Sequence, residues 1–121
     1  MKTLLTLLTA ITLQAQTTPP SDNWPTYHGS DFSQHYSTLT DLTPANVSKL
    51  SLAWTHQAHS LEKFETTPLV IDGVMYLTEA PNTIVALDPV SGRPYWVYEH
   101  KLPEVTYPCC GKVNRGVAYA N

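Results

Sequence analysis

Charge is scarce in this sequence: 14% of its 121 residues are charged, and seven basic against ten acidic side chains leave a formal net charge of -3. A chain of this kind has no basic stripe with which to follow a phosphate backbone, so nucleic acid is excluded as an expected partner. Cysteine is scarcer still, with two residues that stand side by side at positions 109 and 110. That excludes a Cys-x-x-Cys metal knuckle and a Cys-x-x-Cys-His haem attachment sequence. No apolar stretch approaches the roughly twenty residues needed to cross a bilayer as a helix. The five histidines, His28, His35, His56, His59 and His100, show no metal-ligand spacing, and His56 and His59 are expected to face solvent. Glycine is limited to five residues while proline reaches ten, alongside seven tyrosines and three tryptophans. Stiff turns joining short, aromatic-rich strands suit this balance better than long helices, so an all-β fold is expected.

The first residues read as an address. Lys2 gives a positive start, Leu4 to Leu13 is a mostly apolar run, and Leu13-Gln14-Ala15 offers a small residue at a cleavage point. Residues 1–15 are therefore expected to be a secretory signal and residues 16–23 a polar, proline-containing linker. Folded sequence is expected from Trp24 to residue 121. Export implies a periplasmic or secreted protein, a compartment where disulfides persist, with no membrane span left after cleavage.

Thr43-Pro44-Ala45-Asn46-Val47-Ser48-Lys49-Leu50 predicts a short helix with Thr43 as N-cap and Pro44 at its first position. The bulky Leu50-Ser51-Leu52-Ala53-Trp54-Thr55 segment predicts a strand. Leu69-Val70-Ile71 and Val74-Met75-Tyr76-Leu77 flank Asp72-Gly73, a dipeptide suited to the two positive φ angles of a type I′ hairpin turn. A second hairpin is predicted from Thr83–Leu87 and Tyr95–Tyr98, joined through Asp88-Pro89-Val90-Ser91-Gly92. The four strands make an antiparallel meander, the topology of one propeller blade, although sandwiches and small barrels use it too.

Ala86, Asp88, Gly92 and Trp96 follow the spacing Ala-x-Asp-x-x-x-Gly-x-x-x-Trp, which resembles the tryptophan-docking motif of quinoprotein propellers. The resemblance implies that Trp96 lies against a neighbouring blade and offers its indole N–H to a carbonyl. Cys109-Cys110-Gly111-Lys112-Val113-Asn114-Arg115-Gly116-Val117-Ala118-Tyr119 is similar to a segment of the quinoprotein alcohol and methanol dehydrogenases. By that resemblance a disulfide between Cys109 and Cys110 covers one face of pyrroloquinoline quinone, Arg115 approaches its polar edge, and Val113 and Asn114 line the site. Phe64-Glu65-Thr66-Thr67-Pro68-Leu69-Val70 resembles the family stretch that brings a glutamate to the cofactor, which makes Glu65 a candidate and leaves Glu62 a solvated charge.

Read without the family, these residues leave alternatives open. Adjacent α-carbons lie about 3.8 Å apart, below the usual disulfide range, so each cysteine could pair elsewhere or stay reduced. Arg115 could be a surface ion pair. The resemblance decides the expectation: an all-β propeller fragment, one four-stranded antiparallel blade plus an N-terminal strand and a short helix. It implies the N-terminal part of a dehydrogenase that oxidises small alcohols with pyrroloquinoline quinone and calcium and passes electrons to a cytochrome c. The calcium ligands, catalytic base and second stacking tryptophan are expected in later blades, which would leave the fragment itself inactive. A non-catalytic exported propeller scaffold and a sugar-oxidising quinoprotein are the competing readings.

Overall fold

The structure is a computed structural model that describes residues 22–106 and 108–120. The expected signal at 1–15 and most of the expected linker at 16–23 lie outside the described residues. Four strands, β1 (Leu69–Ile71), β2 (Val74–Glu79), β3 (Thr83–Leu87) and β4 (Pro94–Glu99), form one antiparallel sheet in the order β1-β2-β3-β4. Asp72 and Gly73 take φ of 49° and 78°, as a type I′ turn requires, and seat Ile71 opposite Val74. Asn23 closes this turn: its amide donates to Asp72 Oδ1 at 3.2 Å and its Oδ1 accepts from the Asp72 N–H at 2.9 Å. Trp24 follows with an isolated antiparallel bridge to Val70, its N–H donating to the Val70 carbonyl at 2.7 Å.

The second turn is organised by one carboxylate. Asp88 accepts from the Val90 N–H at 2.9 Å and from the Ser91 hydroxyl at 2.5 Å, while Gly92, at φ 70°, donates its N–H to the Asp88 carbonyl at 2.8 Å. The Ser91 hydrogen bond first, and then the Val90 N–H, hold the Asp88 carboxyl below its ordinary value. Its contribution is thus present above the unfolded carboxylate pKa and disappears as pH falls through the lower folded value.

Strand register gives the sheet two distinct faces, because side chains alternate along each strand. Leu77 and Val85 are directly paired, as are Met75 and Leu87, and together they make one apolar face. Leu77, Val85 and Leu87 are buried, with Met75 and Trp54 packed against them. Full burial of each such side chain contributes about 1.5–3 kcal/mol. The opposite face carries Tyr76, Trp96, Thr78 and Ile84, with the Tyr76 and Trp96 ring centroids 6.0 Å apart.

Two sequence expectations need correction. Leu50–Thr55 forms no strand: the segment crosses the apolar face outside the ladder, held by the Trp54 side chain. The Trp54 indole N–H donates to the Pro89 carbonyl at 3.0 Å, and its ring lies on Gly92. Bulky residues favoured a strand because side-chain anchoring and backbone pairing call for the same residue types. The helix expected at 43–50 is only a 3-10 turn, Val47–Lys49. Asn46 stands at its N-cap without a side-chain capping bond and binds backward instead: its Oδ1 accepts the Thr43 N–H at 2.8 Å and its amide donates to the Asp41 carbonyl at 2.7 Å, pinning the chain as a turn.

The Trp54 contact sets a sharp test at two glycines of similar backbone conformation. A Cβ on Gly92 would meet the Trp54 ring at 2.5 Å, whereas one on Gly73 meets nothing within 4 Å. Gly73→Ala should therefore cost only the left-handed backbone penalty of about 1–2 kcal/mol, and Gly92→Ala clearly more because tryptophan must also move. Urea unfolding of the two variants reads the difference, and equal losses would mean that Trp54 is not seated on this turn.

Candidate functional site

At the end of the sheet marked by the start of β1 and the last residues of β2, two distant pieces of chain meet. Residues 65–67 enter β1, and residues 114–118 return past them. The Thr67 N–H donates to the Arg115 carbonyl at 3.3 Å. Asn114 is fixed by three contacts: its carbonyl accepts from the Thr78 hydroxyl at 3.2 Å, its amide donates to Asn82 Oδ1 at 3.2 Å, and its own Oδ1 accepts the Gly116 N–H at 3.1 Å. This crossing puts the Arg115 guanidinium 3.3 Å from Glu65 Oε2. Two residues singled out fifty positions apart in the sequence are therefore neighbours.

The pair stands at the edge of an open cleft of about 620 Å³ walled also by Tyr27, Thr67, Leu69 and Val117. The Arg115 side chain is 74% exposed and that of Glu65 36%. An ion pair this wet contributes about 0–1 kcal/mol, so it does little for stability and leaves guanidinium N–H groups for a ligand. The volume lies within the ordinary range of small-molecule sites. A flat, carboxylate-bearing quinone fits this donor set, since a guanidinium can bind a carboxylate or a quinone oxygen by two parallel N–H bonds.

The other predicted residues are less tightly gathered. Cys109 and Cys110 are exposed, separate thiols, with Cys110 at φ 70°. The Cys109 side chain pushes the Cys110 thiol above its ordinary value and desolvation adds to this, while Arg115 pulls it down and Glu65 raises it. Both charged site residues thus act on Cys110 through space. Val113 is half-buried and donates its N–H to the Gly111 carbonyl at 3.1 Å; it does not wall the cleft. Asn114, expected to line the site, instead turns its amide towards Asn82 and secures the loop. Among the described residues no group of three or more His, Cys, Asp or Glu is arranged to hold a metal ion.

The expectation for His56 needs correction. Glu79 is 3% exposed, and its carboxylate is held by His56 Nε2 at 2.7 Å and the His59 N–H at 3.0 Å. A carboxylate removed from water needs such donors, so His56 is drawn in to 17% side-chain exposure while His59 remains at the surface. The adjacency of Glu79 to an apolar strand was the available signal: Val74-Met75-Tyr76-Leu77-Thr78-Glu79 ends in a charge that the ladder carries inward.

Residues 24–121 match the family Glucose/ethanol/alcohol dehydrogenase, beta-propeller domain, and the chain belongs to this pyrroloquinoline quinone-dependent propeller family. Over 113 residues it is 36% identical to the 1-butanol dehydrogenase (cytochrome c) of Thauera butanivorans, a match covering 92% of this chain and 16% of that one. It is 39% identical over 115 residues to the dehydrogenase subunit of the alcohol dehydrogenase (quinone) of Gluconobacter oxydans, covering 93% of this chain and 15% of that subunit. The crystal structure of quinohemoprotein alcohol dehydrogenase from Comamonas testosteroni matches with a TM-score of 0.70 at 36% identity, over 79% of this chain and 15% of that one. A europium-containing methanol dehydrogenase matches with a TM-score of 0.70 at 34% identity, over 82% and 18%. The chain thus spans about 15% of the length of the relatives it matches. The expected all-β blade is borne out by the sheet and by these neighbours.

Two carboxylates near this end of the sheet should respond differently to removal. Glu65→Ala breaks an exposed pair and should change stability by less than about 1 kcal/mol. Glu79→Ala leaves His56 and a backbone N–H without their partner and should cost about 3 kcal/mol or more. Denaturant unfolding of both variants measures the contrast, and a reversed order would mean that the burial of Glu79 is misjudged.

Proposed function

We propose that this chain is the first blade and one wall of the cofactor site of an exported pyrroloquinoline quinone-dependent dehydrogenase that oxidises small alcohols. The observation that carries the reading is the Glu65–Arg115 pair, assembled beside a ligand-sized cleft in a chain of the quinoprotein propeller family. When bound, the quinone supplies the two-electron acceptor that no amino-acid side chain provides. Arg115, standing beside Glu65, would donate N–H bonds to oxygen atoms of the cofactor. Cys109 and Cys110, separate thiols in this structure, would present a compact sulfur surface to the cofactor ring once oxidised to a disulfide in an oxidising compartment. Calcium and the base that takes the alcohol proton belong to other parts of the protein.

The relatives support an alcohol as substrate, since the names of those compared specify 1-butanol, methanol or alcohol. The name of the butanol dehydrogenase also supports a cytochrome c as acceptor. The apolar start of the sequence supports a periplasmic or secreted location. On β4, Trp96 and Tyr98 on one face and Tyr95 and Val97 on the other, each about half exposed, are where neighbouring blades pack.

Full-length protein reconstituted with pyrroloquinoline quinone and calcium should oxidise primary alcohols with an artificial dye as acceptor. Arg115→Lys keeps the charge but loses the planar fork and should weaken cofactor binding about tenfold, with Glu62→Gln close to wild type. Wild-type binding by Arg115→Lys would remove Arg115 from the site. In unreduced protein, the peptide spanning Cys109 and Cys110 should be about 2 Da lighter than its reduced form, the two hydrogens lost when a disulfide forms. A link from either cysteine to a distant partner would overturn the pairing.

A further inference from the structure

Thr78 makes no contact with the cleft, yet it is 1% exposed and lies where both arms of the site cross. Its N–H donates to Thr66 Oγ1 at 3.1 Å, the Thr78 and Thr66 hydroxyl oxygens are 2.9 Å apart, and its hydroxyl reaches the Asn114 carbonyl at 3.2 Å. Thr66 adjoins Glu65, and Asn114 adjoins Arg115. We propose that Thr78 is a positioning residue: its hydroxyl, with that of Thr66, ties the two arms together and so sets the spacing of Glu65 and Arg115 for the cofactor.

The hydrogen arithmetic supports a single well-defined tie. Each threonine hydroxyl has one proton and can also accept. If Thr66 donates to Thr78 Oγ1, Thr78 is free to donate to the Asn114 carbonyl, and Thr66 Oγ1 still accepts the Thr78 N–H. All three contacts are then satisfied without sharing a proton. A valine has the same shape and keeps the N–H bond to Thr66 but removes the hydroxyl link to Asn114, leaving the half-buried Thr66 hydroxyl and the Asn114 carbonyl short of partners. The requirement is for directional hydrogen bonding at this point, beyond the filling of space. The exposed Glu65–Arg115 pair is too weak to hold its own geometry, so its spacing must come from the backbone arms beneath it. Those arms meet through Thr78 and through the longer Thr67–Arg115 backbone bond of 3.3 Å.

This inference rests on the cofactor reading of Arg115, and a double-mutant cycle separates the two. The measurements are pyrroloquinoline quinone affinity of the full-length protein, by fluorescence titration below the unfolding temperature of every variant, and amide hydrogen exchange without cofactor. Thr78→Val should weaken binding about tenfold, and Thr78→Ser, which restores the hydroxyl, should recover most of the loss. Combined with Arg115→Lys, Thr78→Val should add little further loss, because it acts through the residue already altered. In the cofactor-free protein, Thr78→Val should speed exchange at the Thr67 and Gly116 amides while the Val70 amide, bonded to Trp24, keeps its protection. Thr66→Val should reproduce these effects and serves if Thr78→Val does not fold. Additive losses, or failure of serine to rescue, would overturn the positioning role while leaving the cofactor reading intact. Unchanged binding in Arg115→Lys would instead overturn the cofactor reading, and Thr67 exchange would then decide whether the tie itself exists.

Discussion

A tryptophan ring pressed against a glycine is the contact on which the rest of this structure depends. Trp54 comes from a segment with no place in the sheet, and it covers the apolar face only because Gly92 has no side chain to keep it away. The Asp88 carboxylate shapes the turn that presents Gly92, and the Pro89 carbonyl in the same turn accepts the indole N–H. Apolar burial, backbone conformation and a half-buried hydrogen bond are thus satisfied together by five residues of one hairpin loop. With Trp54 held there, the chain beyond it must run along the sheet towards β1, and His56, His59 and finally Glu65 fall in order along that path.

The end of the sheet then builds the site from ordinary hydrogen-bonding needs. Thr78 and Glu79 are buried polar residues at the close of β2, and each must find partners that the ladder does not supply. They lie on opposite faces, since neighbours in a strand alternate. Glu79 takes hold of the incoming chain through His56 and the His59 amide. Thr78, on the other face, takes hold of Thr66 and of the returning chain at Asn114. The segment carrying Glu65 is therefore secured on both faces of one strand, and Arg115 is delivered next to it.

What could be read from the sequence follows from how local each constraint is. Both hairpins were legible because Asp72-Gly73 and Asp88 to Gly92 dictate their backbone angles from within the turn. Glu65 and Arg115 were legible only through resemblance, because nothing in two segments fifty positions apart announces that they touch. The strand expected at Leu50–Thr55 failed for a related reason: its pattern encodes a docking side chain whose receptor lies more than thirty residues downstream. The 3-10 turn at Val47–Lys49 replaced a helix because the Asn46 amide offered the backbone a competing set of bonds. Histidine 56 and the tie through Thr78 were invisible because each takes its meaning from a partner across the sheet.

The contrast between the two carboxylates at this end of the sheet explains why the weaker interaction is the useful one. Glu79 is buried with its donors matched, and any ligand that claimed His56 would leave a buried carboxylate with the His59 N–H alone. That arrangement fixes structure and resists exchange. Arg115 remains largely in water and Glu65 partly so, and there their attraction is slight and each keeps unused bonding capacity. A carboxylate of an incoming molecule can engage Arg115 with little lost in return. Such a pair binds well only if its members are already correctly spaced, since it has no strength of its own to impose the spacing. The rigidity must come from buried Thr78 and half-buried Thr66 beneath it, which places stability and ligand recognition in different layers of the same sheet end.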